Sequence, residues 1–404
     1  MALTRAYAAL TPKARTLHQL LVLVPGESFA VEAAAALMDL PLAQTQPLLD
    51  ELVAQRLLTH AEGRYRQHPR ARAHALEVSR EAHPAPAETA PALHRLLRWY
   101  LHTASAASAV LDPHHWRTTP LPPTRVFTPI GALTWLDAEL GALRLAVRLA
   151  SEVGHPSLCW QLHEAMQPYL RLRRSFTLWQ ETVGWARAAA RTAADTVGQA
   201  LTVTSQATLA RDMGDGQGAA RDYAHALELW DRTGRMAGYA HTLIEYAHLE
   251  VSSDRCGRAR LKFLDALELA QSEQDPDLEL RAWAGLGQAE LGQCRPSEAL
   301  DCLEQVVEAP ATAPGLRLQA LTGMAAAHLQ REDPIRAAHL LQRADLLPVL
   351  DPVAVADVDL VRAHLHAATP EHERTHLVRA YTVLRSAGDP RADALQAQLD
   401  ELGG

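Results

Sequence analysis

His241, Glu245 and His248 are spaced by four and then three residues, so a helix through them carries all three on one stripe. Imidazole titrates near neutrality and a nearby carboxylate tunes it. The trio therefore offers acid–base chemistry, such as dehydration, addition or cyclisation by proton transfer. Polar residues in the same phase fall to either side: Thr204, Thr208 and Arg211 before it, Arg281 and Gln288 after it. Together they describe a groove for a polar or anionic ligand. Tyr169, Arg171, Arg173, Arg174 and Trp179 form a further cluster, in which guanidinium planes against aromatic rings can clasp a planar or anionic group. The plainer reading is that surface helices carry polar residues and that the arginines neutralise acidic neighbours.

Other motifs are weaker. His372-Glu373-Arg374-Thr375-His376 matches the zinc-protease pattern HExxH, but it starts directly after Thr369-Pro370, at a helix beginning, and no third ligand motif follows. An exposed polar helix end explains it, and no metal or other cofactor is expected. His114, His115 and Trp116 lie in a proline-rich stretch that can act as a lid or plug, or simply pack. There is no nucleophile elbow, glycine-rich dinucleotide turn or cysteine–histidine signature. The four cysteines, Cys159, Cys256, Cys294 and Cys302, form no CxxC pair and suit a reducing cytosol.

The elements that position these residues read as helices. The 404-residue chain is 48% hydrophobic and 21% charged, with only 5% aromatics, and its Ala- and Leu-rich composition favours helices in close contact. Residues 1 to about 80 suggest three helices (from Pro12, Phe29 and Leu42) and a short hairpin around Ala61-Glu62-Gly63, the order of a winged helix. Residues 81–90 read as a linker and 91–111 as a helix. Five prolines between 112 and 130 demand an extended strap. Beyond that an internal 40-residue repeat aligns Ala219, Ala259 and Ala299, then Tyr223, Phe263 and Leu303, then Ala226, Ala266 and Val306. A shorter step continues it to Ala337, Leu341 and Ala344. Trp283, Leu286, Gly287 and Ala299 have the spacing of tetratricopeptide landmarks. Helical hairpins of this kind bury their apolar faces only by stacking.

Three stretches carry a family resemblance: LTPKARTLHQLLVLVPGESFAVEAAAALMDLP, LLDELVAQRLL and GRYRQHPRARAHA. They resemble the winged-helix segment that follows the nucleotide-binding domain in SARP/AfsR-type antibiotic-pathway regulators, which belong to the signal-transducing ATPases with numerous domains. Residues 93–139 resemble the segment those proteins place before their repeats. The resemblance implies a winged helix on a repeat sensor, without the ATPase module or the DNA-binding output domain. No GxxxxGK[ST] phosphate loop occurs, and the family's nucleotide-sensing His-Asp pair is replaced by His68-Pro69. The chain is either a stand-alone descendant or a fragment; the Met1 start and Pro69 favour the descendant.

The expectation is a mainly α protein with a winged-helix-like domain at 1–80, a linker, helix and strap at 81–135, and tetratricopeptide-like repeats at 136–404. It binds a small molecule or a protein partner in its concave groove, in secondary metabolism and in the cytoplasm. The alternatives are a sensor-derived biosynthetic enzyme using His241, Glu245 and His248, and a DNA-binding regulator. Against DNA stand a net charge of −8 and a third helix bearing Asp50 and Glu51, although Arg64, Arg66, Arg70 and Arg72 could reach a backbone. No apolar run is long enough to span a bilayer, and the amino terminus lacks a signal peptide's apolar core.

Overall fold

The computed structural model describes residues 2–81, 89–122 and 125–403. Its contacts divide the chain into two compact units, Met1–Leu111 with Leu121–Met166, and Asp112–Pro120 with Gln167–Gly404.

In the first unit α1 (Ala2–Ala8) precedes α2 (Pro12–Leu20), α3 (Val31–Met38) and α4 (Leu42–Ala54). Pro12 stands where a helix has no use for its missing N–H, and Thr11 Oγ1 accepts from the Ala14 amide. Strands β1 (Ser28–Phe29), β2 (Leu58–Ala61) and β3 (Arg64–Gln67) form an antiparallel sheet in the order β1-β3-β2. Glu62 and Gly63, at φ of 52° and 72°, make the left-handed two-residue turn that suits strand twist. The second helix begins later than its sequence suggests, because Ser28 and Phe29 pair with Arg66 and Tyr65. Two residues are too few for an alternating pattern to reveal. α5 (Pro69–Glu81) is a helix not foreseen from the sequence. α6 (Thr89–Leu111) and α7 (Pro129–Glu152) pack together. Most of the expected linker, residues 82–88, lies outside the described residues. The described part of the strap, 112–122 and 125–128, has neither helix nor strand, as its prolines require.

The array comprises α8 (Pro156–Leu172), α9 (Phe176–Thr192), α10 (Thr196–Asp212), α11 (Gly216–Thr233), α12 (Met236–Ser252), α13 (Cys256–Ser272), α14 (Pro276–Gly292) and α15 (Pro296–Glu308). It continues with α16 (Pro314–Gln330), α17 (Pro334–Asp345), α18 (Pro352–Leu365), α19 (Pro370–Ser386) and α20 (Arg391–Gly403). The starts from 156 to 296 fall 20 residues apart, which is the 40-residue repeat in helical form. One left-handed residue turns the chain between helices each time: Gly154, Arg174, Ala194, Gly214, Gly234, Asp254, Gln274 and Cys294. The following amide then returns to the preceding helix, as in Asp195 N to Ala190 O at 2.9 Å and Asp275 N to Ala270 O at 3.0 Å. Ala219, Ala259 and Ala299 are fully buried, as are Tyr223, Phe263 and Leu303. Small residues set the spacing: a Cβ on Gly285 would sit 2.1 Å from the Phe263 ring. The fold is mainly α, with a small open winged-helix-like sheet followed by stacked tetratricopeptide-like helix pairs.

Candidate binding groove

The first helices of successive pairs touch one another, α10 with α12, α12 with α14, α14 with α16 and α16 with α18, so they make one continuous layer. Three arginines reach Glu245 of α12 on this layer. Arg211 Nη1 of α10 lies 2.8 Å from Glu245 Oε2, and Arg281 Nη2 of α14 lies 2.5 Å from Oε1. Arg171 Nη1, in the last turn of α8, lies 3.6 Å from Oε1. Arg211 also donates to the Glu245 carbonyl and, through Nε and Nη2, to Asp212 Oδ1 at 3.0 and 2.9 Å. Asp212 Oδ2 is buried with no hydrogen bond among the described residues; Arg171 and Arg174 each approach it to 3.7 Å. Arg174 Nη2 is 2.6 Å from Asp389 Oδ2, a carboxylate shared with Arg391. Four guanidinium groups thus meet three carboxylates, Glu245, Asp212 and Asp389.

The charge states follow from burial and neighbours. Burial works to raise the Glu245 pKa, but Arg171, Arg211 and Arg281 together override it and hold the carboxyl well below its usual range. Burial opposes the charge on Arg211, and Tyr223, Asp212 and Glu245 reverse this and push it well above its usual value. Burial, and then the neighbouring arginines, pull His241 down to about 3; burial does the same to His248. At neutral pH both imidazoles are therefore uncharged and Glu245 is ionised.

The remaining residues singled out from the sequence divide between the charge cluster and the packing. Thr204 and Thr242 share a hydrogen bond at 2.9 Å, Trp230 Nε1 donates to Thr204, and Thr208 meets the Tyr223 hydroxyl at 3.1 Å. Trp179 Nε1 donates to Ser205 Oγ at 2.8 Å. These hydroxyls join helices together. Tyr169 is buried beneath the Arg173 guanidinium, His248 stands edge-on to Phe263, and Gln288 is half-buried on α14.

The strap crosses the same layer. His114 Nδ1 lies 2.7 Å from Asp277 Oδ1 of α14, and its Nε2 accepts from the Ala313 amide at 2.8 Å. Trp116 stacks on His241, with centroids 5.4 Å apart and planes 23° from parallel, and meets Trp230 edge-on. His115 meets His241 edge-on. Arg235 Nη1 donates to the Thr118 carbonyl at 3.3 Å. Asp112 is among the charges that raise the Arg171 pKa against burial. Asp212, Asp277 and Arg235 belong to the site but were not expected; only Asp212, next to Arg211, could have been found from the sequence.

The other candidates have local partners. Arg64 donates to the Ser28 carbonyl and hydroxyl and pairs with Glu139 at 2.5 Å, and Arg72 donates to the Val22 carbonyl at 2.8 Å. Glu51 accepts from both the amide and hydroxyl of Thr11. His376 of the HExxH match pairs with Asp359 at 2.9 Å, and among the described residues no group of three or more His, Cys, Asp or Glu is arranged to hold a metal. No described helix is long and apolar enough to cross a membrane.

No protein-family model matches the chain. Regulatory protein AfsR of Streptomyces coelicolor is 39% identical over 152 residues, which is 35% of this chain and 15% of that protein. The AfsR of Streptomyces griseus is 33% identical over 156 residues, 37% of this chain and 16% of the relative. Part of the chain is related to AfsR-type regulators. The chain spans only 15% and 16% of the length of these two curated relatives. Among solved structures, a signal-transduction ATPase with a tetratricopeptide sensor from Pyrococcus horikoshii aligns over 98% of this chain and 61% of its own, at 16% identity and a TM-score of 0.48. The quorum sensor NprR with its cognate peptide NprX aligns over 76% of this chain and 82% of its own, at 14% identity and a TM-score of 0.48.

Proposed function

We propose that the chain is a regulator-derived helical-repeat protein that binds an anionic small molecule or protein partner on the inner layer of its array. The AfsR relationship suggests a place in secondary metabolism and in the cytoplasm. The observation that carries this reading is the convergence of Arg171, Arg211 and Arg281 from three helices on Glu245, with Arg174 adding a fourth guanidinium beside Asp212. Arg171 is the half-exposed member of this network and has no carboxylate at hydrogen-bond distance, its nearest lying at 3.6 and 3.7 Å, and guanidinium is the group best suited to hold carboxylate or phosphate. The boundaries 1–80, 81–135 and 136–404 remain the proposed organisation.

Isothermal titration against carboxylate and phosphate metabolites and acidic partner proteins tests this. Arg171→Ala is the useful variant, because this side chain is 41% exposed and its ion-pair contacts exceed 3.5 Å. A ligand that binds the wild type should bind this variant at least about tenfold more weakly, one charge-assisted contact being lost. A broad screen with no binder, or a binder indifferent to Arg171, would refute the proposal.

A further inference from the structure

The strap is held like a bound peptide. Chain with no helix or strand of its own, turned once where the His115 amide donates to the Asp112 carbonyl at 3.3 Å, meets α12, α14 and the start of α16, and its side chains dock one after another. His114 uses both ring nitrogens, one on Asp277 and one on the Ala313 amide. His115 and Trp116 pack on His241, and Trp116 is also against Trp230. Arg235 holds the Thr118 carbonyl. Recognition of peptide segments elsewhere uses similar elements: pockets for side chains and a few bonds to the main chain.

The seat is also poorly matched in charge at the end where the strap enters. Asp112 carries the strap's only carboxylate, and its side chain is 44% exposed. The nearest carboxylates to Arg171 are at 3.6 and 3.7 Å, longer than hydrogen bonds. A segment that set a carboxylate directly on Arg171 while filling the Trp116 position would satisfy groups that the strap leaves at long range.

We propose that this inner layer is a docking site for a peptide segment of a partner protein, carrying a carboxylate ahead of an aromatic ring, and that residues Asp112–Thr118 are a resident copy competing with it. The inference rests on the groove reading above and names the partner's chemistry. Because the strap is covalently attached, it occupies the seat at high effective concentration, and a partner binds with an affinity reduced by the fraction of time the strap is away.

The test uses the full chain and a fluorescent peptide of residues 111–119, Leu-Asp-Pro-His-His-Trp-Arg-Thr-Thr. The double variant His114→Ala/Trp116→Ala weakens the resident strap. Fluorescence anisotropy should show saturable binding of the peptide to this variant, and binding to the wild type at least about tenfold weaker. Replacing the aspartate or the tryptophan of the peptide by alanine should each weaken binding severalfold. Should the double variant lose its helical circular dichroism, Arg235→Ala, which removes only the tether to Thr118, serves in its place. No saturable binding to a folded strap variant overturns the inference, as does equal binding to wild type and variant. Binding that ignores the tryptophan and is displaced equally by inorganic phosphate overturns it in favour of a small-anion site, and leaves the broader groove reading standing.

Discussion

Arginines gather in both units, and the two gatherings behave differently. In the first unit Arg64 and Arg72 sit where a winged helix could offer them to a nucleic acid. Instead Arg64 joins β1 to α7 through Ser28 and Glu139, and Arg72 ends on the Val22 carbonyl. In the array Arg171, Arg211 and Arg281 converge on one carboxylate. Two of the buried glutamates, Glu139 and Glu245, register the contrast. Burial wins at Glu139 and raises its pKa despite Arg64, whereas three arginines win at Glu245 and lower it. The number of cations around a buried carboxylate, rather than the local density of arginine, separates a structural tie from a charged site.

The largest test of this contrast is Glu245→Gln. It strands three guanidinium groups and should destabilise the array by about 3–5 kcal/mol, read as a drop in the urea midpoint. A loss below about 1 kcal/mol would mean that solvent already satisfies the arginines. Acid gives the next effect. His241 has a folded pKa of about 3 against 6.5 in the unfolded chain, so between those values the unfolded state binds the extra proton. Stability is complete above about pH 6.5 and falls as the pH drops toward 3, by about 1.4 kcal/mol per unit for each such imidazole. His18 (about 4) acts in the same direction in the first unit, as does His163 (about 3) on the part of α8 that belongs to that unit. Protonating His241 adds charge beside Arg281, so near pH 5 the array should lose its protection from hydrogen exchange before the first unit does. The reverse order would break the comparison. Glu139→Gln comes third, at under about 1.5 kcal/mol, because a neutral amide can still accept from Arg64 and the carboxyl is already biased toward its protonated form. Matching losses at 139 and 245 would erase the distinction drawn here.

The smallest effect concerns the scaffold. Gln274 is left-handed at φ 55°, a conformation that costs a side chain about 1–2 kcal/mol. Gln274→Gly should raise stability by up to about 1 kcal/mol after the glycine's greater unfolded freedom is counted. A lower thermal midpoint would show that the Gln274 side chain has a role of its own.

Much of the scaffold was legible because it repeats. The phase of Ala219, Ala259 and Ala299 predicts three equivalent buried positions, and each is fully buried. β1 and α5 were not legible, the first because two residues make no pattern, the second because Pro69 and its neighbours resemble wing chemistry more than a helix start. At the groove, spacing placed Arg211, His241, Glu245 and Arg281 on one layer. It could not say that Thr204 and Thr208 would turn to the neighbouring helices α11 and α12 rather than to a ligand, since a hydroxyl serves either purpose. Nor could it seat the strap. The bond from His114 to Ala313 joins residues 199 apart and depends on how many hairpins lie between them.

That bond gives the most direct test that the inner layer is a seat for the strap. The Ala313 amide donates to His114 Nε2 and should be protected from hydrogen exchange in the wild type. In His114→Ala it should exchange markedly faster, together with residues 112–118, while the amides inside α12 and α14 keep their protection. Unchanged exchange at Ala313 would mean that the strap does not lie in the groove, and the account would fail there.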